Sequence, residues 1–84
     1  MKKKEITLDE FRIGDKGFVL NVLGEKRVKR RLFDMGITPG IEIYLRKKAP
    51  LGDPIEITIR GYELTLRKGE ADLVLCKMDE RSEK

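Results

Sequence analysis

The chain has no histidine, no tryptophan and a single cysteine, Cys76, in 84 residues. Without histidine there is no Ser-His or Cys-His pair to activate a nucleophile. Transition-metal centres draw on His, Cys or clustered carboxylates, so no soft-ligand site can close within one chain. Cys76 bridging two chains, or adventitious carboxylate binding, stays open. A lone cysteine closes no intramolecular disulfide, which favours the cytosol. Set in a strand, it reads as a small apolar core residue. There is no GxxxxGK[ST] loop, so GTP has no phosphate cradle. No apolar run approaches the ~20 residues a membrane span requires. Met1-Lys2-Lys3-Lys4 is basic but is followed by Glu5 rather than by an apolar stretch, which argues against a signal peptide. Aromatics make up 6% of the chain and are not laid out as a stacking row.

What the chain has instead is charge and short apolar alternation. Charged residues are 40% of the total and apolar residues 39%, with a net charge of +4 from 19 basic and 15 acidic side chains. That balance permits an acidic partner without requiring one. A chain this short buries only about 60–65% of its unfolded surface, so one small core is expected from Ile, Leu and Val.

The most strongly specified stretch is Arg30 to Gly40, RRLFDMGITPG. It predicts the end of a helix that begins near Gly24 or Glu25. Val28, Leu32 and Met35 stand at i, i+4 and i+7 on one apolar face. Gly36 supplies the left-handed stop, and Ile37 is placed to fold back on the last turn. Thr38-Pro39-Gly40-Ile41 fits a type II turn.

Around it the alternation predicts about five strands. Residues 1–5 read as a frayed tail, and Thr7 as the cap of a single turn through Phe11. Phe18 to Leu23 is apolar on both faces and is expected either to be buried on both sides or to pair centrally in the sheet. Ile41, Ile43 and Leu45 form the buried face of the next strand. Ala49-Pro50-Leu51-Gly52-Asp53-Pro54 is a stiff loop. Ile55, Ile57 and Ile59 then face Tyr62, Leu64 and Leu66 across a two-residue turn at Arg60-Gly61, with Ile59 and Tyr62 both pointing inward. Lys68 to Ala71 is a turn, and Leu73 to Cys76 the last strand. Lys77 to Lys84 is a charged tail. The predicted fold is mainly β: a closed small SH3-like barrel with one helix between its first and second strands.

RRLFDMGITPG and APLGDPIEITIRGYELTLRKGEADLV together resemble the FeoA family (ferrous iron transport protein A), over about Thr7 to Cys76. The resemblance implies one SH3-like domain over 1–84, ordered over about 6–78, in the cytoplasm. It implies an accessory role in Fe(II) uptake, with binding to the cytosolic part of FeoB, a membrane transporter that carries a G-protein domain. The family is also described as binding transition metal, and the same module ends some metal-dependent repressors. No metal ligands, catalytic residues or cofactor are assigned here. The membrane is reached only through the partner, and weak self-association is left open.

Six residues are candidates for partner binding: Arg27, Arg30, Arg31, Phe33, Asp34 and Leu51. The helix cations Lys26, Arg27, Lys29, Arg30 and Arg31 cover the face opposite the apolar arc. They serve either as a docking face for an acidic surface or simply as a solvated helix face. Phe33 falls among those cations, either as an exposed anchor or folded over the barrel's open end or against Ile37. Asp34 is expected to pair with Arg30 or Arg31 or to accept from a nearby amide. Leu51 is either a fixed apolar tip offered at low entropic cost or merely part of a loop. Gly36, Ile37, Pro39, Gly40, Pro50, Gly52, Asp53, Pro54 and Gly61 are read as structural. The alternatives are an interaction module of the kind found in metal-dependent regulators and a small basic barrel that binds nucleic acid; the latter is weakly favoured by the basic helix and Arg46-Lys47-Lys48 and opposed by the few aromatics and the interleaved acidic residues, so no nucleic-acid partner is expected.

Overall fold

The computed structural model describes residues 3–79. Six strands, β1 (Lys3–Thr7), β2 (Lys16–Val22), β3 (Glu42–Lys48), β4 (Ile55–Ile59), β5 (Tyr62–Leu66) and β6 (Val74–Asp79), form one antiparallel sheet in the order β1-β6-β2-β3-β4-β5. Helix α1 (Lys26–Asp34) joins β2 to β3, a 3₁₀ turn (Leu8–Glu10) joins β1 to β2, and a one-turn helix, α2 (Lys68–Ala71), joins β5 to β6.

Three expectations are corrected. Lys3, Lys4 and Glu5 are not a frayed tail: they pair with Asp79, Met78 and Lys77 as part of β1. That extra strand puts α1 between the second and third strands rather than the first and second. The sheet is also open. Among the described residues no ladder joins β1 to β5, so the predicted closed barrel is replaced by a sheet that wraps one core and keeps two edges. Residues 80–84 of the predicted charged tail lie outside the described residues, whereas Lys77 and Met78 belong to β6.

The core is one cluster to which every strand but β1 contributes a buried side chain. Ile43, Leu45, Ile55, Ile57 and Leu66 are wholly buried, with Leu8 and Phe11 from the 3₁₀ turn and Leu32 from α1. Alternation along β3 and β4 selects these residues, because successive side chains point to opposite faces of a strand. The Thr7 turn forms as expected, although the Thr7 hydroxyl donates to the Asp9 carboxylate rather than accepting a backbone amide. Lys48 closes that end of the core by donating from Nζ to the carbonyls of Asp9 (3.2 Å) and Phe11 (2.6 Å).

The Arg30–Gly40 stretch folds as its sequence dictates. Gly36 has φ +99°, its amide donates to the Phe33 carbonyl at 2.9 Å, and the Ile37 amide donates to Leu32 at 3.0 Å. This double return is a Schellman stop, and it drives Ile37 fully into the core. Gly40 has φ +92° and the Ile41 amide donates to Thr38 at 3.2 Å, which closes the Pro39-Gly40 turn. At the β4–β5 hairpin both Arg60 (φ 48°) and Gly61 (φ 83°) are left-handed, a type I′ turn, and Ile59 pairs with Tyr62.

Candidate docking surface

The C-terminal turn of α1 is fixed at two points, to β5 and to α2. The Tyr62 hydroxyl donates to the Met35 carbonyl at 2.9 Å, and the Arg31 guanidinium pairs with Glu70 of α2. Tyr62 is therefore not the inward-pointing residue expected: it is 43% exposed, because its hydroxyl reaches sideways to the helix terminus rather than into the apolar core. Leu32 anchors the inner face, with Val28 and Met35 packed against the core at its sides.

The outer face of α1 is cationic with one aromatic. Lys26, Arg27 and Arg30 line an open cleft of about 420 Å³. Phe33 is 39% exposed and is not one of the buried core residues. Asp34 is exposed, and among the described residues it makes no ion pair with Arg30 or Arg31; Arg31 is engaged by Glu70 instead. Glu70 escaped notice in the sequence because it lies 39 positions from Arg31 and only the fold brings α2 against α1. Glu70 also accepts from the Arg67 amide at 3.0 Å, which holds its carboxylate at the start of α2.

The proline loop forms a second projection. Gly52 (φ +82°) donates to the Ala49 carbonyl at 2.7 Å, and Ala49 donates to Pro54 at 3.0 Å. The Asp53–Pro54 peptide is cis, and the Asp53 carboxylate accepts from the Lys68 amide at 3.0 Å. The loop is thus bonded both within itself and to α2, and it carries Leu51 at 91% exposure.

Of the basic run Arg46-Lys47-Lys48, two members are already committed. Arg46 pairs with Glu63, and Lys48 holds the two carbonyls described above. What the sequence concealed lies on β2. β2 pairs centrally, between β6 and β3, but it is covered on one face only, so Phe18 (50%) and Leu20 (36%) are exposed rather than buried on both sides. A register shift between Val19 and Asn21 breaks the strand's alternation, so Val19 and Val22 both turn inward.

Metal has no built site among the described residues. No three of its His, Cys, Asp or Glu side chains gather. The Cys76 thiol is buried, and burial pushes its pKa up to about 12. A thiol so placed resists becoming the thiolate that a metal requires.

The FeoA domain family matches residues 6–78. The Fe(2+) transport protein A/Fe(2+) transporter FeoB fusion protein of Porphyromonas gingivalis is 33% identical over 64 residues. Those residues are 76% of this chain and 8% of that protein, so the chain spans a small part of that relative's length. The NMR structure of a FeoA-like protein from Clostridium acetobutylicum is 43% identical, with a TM-score of 0.85 over 100% of this chain and 96% of that one. FeoA of Stenotrophomonas maltophilia, a prokaryotic SH3 domain protein crystallised with zinc, is 27% identical, with a TM-score of 0.73 over 84% of this chain and 88% of that one. In sequence over most of its length, and in its SH3-like fold, this chain belongs to the FeoA family of ferrous iron transport.

Proposed function

We propose that this chain is a cytoplasmic accessory protein of ferrous iron uptake that binds the cytosolic part of a FeoB transporter and modulates Fe(II) transport. It works as one module, by fitting against its partner, without catalysis or a cofactor of its own. The P. gingivalis fusion supports the pairing, since joining the two proteins in one chain keeps them at the same place.

The observation that carries the docking face is α1 itself. A helix rigidly capped at its C-terminus turns Lys26, Arg27 and Arg30 outward around a half-exposed Phe33. An aromatic anchor ringed by arginines is a common arrangement at binding hot spots. Arg31 enters by exchanging Glu70 for an acidic group of the partner. Asp34 sits at the rim and contributes selectivity rather than affinity. Leu51, on its pre-bonded loop, adds a second apolar contact at low entropic cost.

Capture of the cytosolic FeoB domain on immobilised full-length chain, with GDP, with a GTP analogue and without nucleotide, tests this. Capture in at least one state that weakens as salt rises is expected, since the Debye length falls from about 10 Å at 0.1 M to about 3 Å at 1 M. Failure to capture in every nucleotide state contradicts the pairing.

A further inference from the structure

The outer face of the sheet, opposite the core, carries a second surface. Phe18 on β2 stands opposite Glu42 on β3, and Lys16 on β2 stands opposite Tyr44. Residues opposite one another in an antiparallel ladder share a face, and diagonal neighbours lie roughly 7–8 Å apart. Phe18 and Tyr44 are such diagonal neighbours, 50% and 38% exposed. Two clefts flank them. One, of about 480 Å³, is lined by Tyr44, Thr58, Arg60 and Lys16 among others. The other, of about 280 Å³, is lined by Phe18, Lys3, Lys77 and Lys16 among others. Both clefts share Lys16 and Glu42.

The charge on this face favours an anion. Lys3, Lys16, Lys77 and Arg60 border the two clefts, against Glu42 between them and Glu5, which pairs in register with Lys77. Glu63, farther along the row through Tyr44 and Thr58, is engaged by Arg46. Cations set around paired, solvent-facing rings fit a ligand that alternates phosphate with flat aromatic groups. A flat lipid surface fits less well, because the rings line concave clefts and Glu5 and Glu42 would meet anionic headgroups.

We propose that this face binds single-stranded nucleic acid. Phe18 and Tyr44 stack bases, and Lys16, Lys77 and Arg60 contact the backbone. Its two clefts share no lining residue with the α1 cleft, so either surface can fail without the other.

The test is fluorescence anisotropy of the full-length chain with a labelled oligouridine of about eight nucleotides. Vesicles of phosphatidylcholine with phosphatidylserine are run in parallel. Saturable binding is expected, weakened about tenfold or more by Phe18→Ala and by Tyr44→Ala, and kept by Phe18→Tyr and Tyr44→Phe. Lys77→Ala should reduce the salt slope by about one. Circular dichroism of each variant verifies folding, which the exposure of both rings favours. The proposal is overturned by absence of oligonucleotide binding. It is equally overturned by binding indifferent to both rings, by binding lost instead on changing Arg27 and Arg30, or by vesicle binding without oligonucleotide binding.

Discussion

Gly36→Ala is the sharpest perturbation of the unit that holds α1 in place. The backbone there has φ +99°, a conformation that costs a residue with a Cβ about 1–2 kcal/mol. The added Cβ would stand 2.6 Å from the Tyr62 hydroxyl and 3.3 Å from Cδ1 of Ile59. The first distance is too short, so Tyr62 must move and its bond to the Met35 carbonyl is lost, for about 0.5–1.5 kcal/mol more. The expected loss is about 1.5–3.5 kcal/mol, which lowers Tm by roughly 6–28 °C in a chain of this size. Thermal melts followed by circular dichroism measure it. A double-mutant cycle with Tyr62→Phe sharpens the test. Tyr62→Phe removes the clashing hydroxyl together with its bond, so Gly36→Ala should cost less in that background than in the wild type. A melting shift below about 2 °C for Gly36→Ala, or strict additivity in the cycle, would refute this account of the helix stop.

Three further outcomes follow. Leu32→Ala, which empties a fully buried site, should lose about 2–5 kcal/mol in urea unfolding, whereas Phe33→Ala and Leu51→Ala should stay within about 0.5 kcal/mol. The same Phe33→Ala change should weaken FeoB capture; a large drop in stability with capture unchanged would remove Phe33 as an anchor. The Cys76 thiol is raised from 9.0 to about 12 by burial, so the unfolded chain releases that proton first as pH rises. Its contribution to stability is therefore complete below about pH 9 and is lost between about 9 and 12; the fall in stability over that window should be shallower in Cys76→Ala than in the wild type.

Much of the fold was legible because local signals agreed with one another. The Gly36 stop, the Pro39-Gly40 turn, the Ile59–Tyr62 register and the buried faces of β3 and β4 each follow from residue type and spacing. What was illegible depended on contacts distant in sequence. Lys3-Lys4-Glu5 carries no apolar alternation and becomes a strand only through its ladder with β6. Closure could not be read either, because periodicity gives strands and their faces but not whether the edges meet. β2 was legible in part: its two apolar faces allowed either double burial or central pairing, and it pairs centrally, between β6 and β3, with one face covered and Phe18 and Leu20 left in solvent. The α1 candidates were legible as a face, whereas the capture of Arg31 by Glu70 was not.

The claim on which the functional account depends is that α1 and the proline loop form the FeoB docking face. The direct measurement is an amide chemical-shift map of isotope-labelled chain as the cytosolic FeoB domain is added. Perturbations should concentrate in residues 26–34 and 49–54 and vanish at high salt. Shifts confined to the β2–β3 outer face, or a spectrum unchanged at saturating partner, would contradict it.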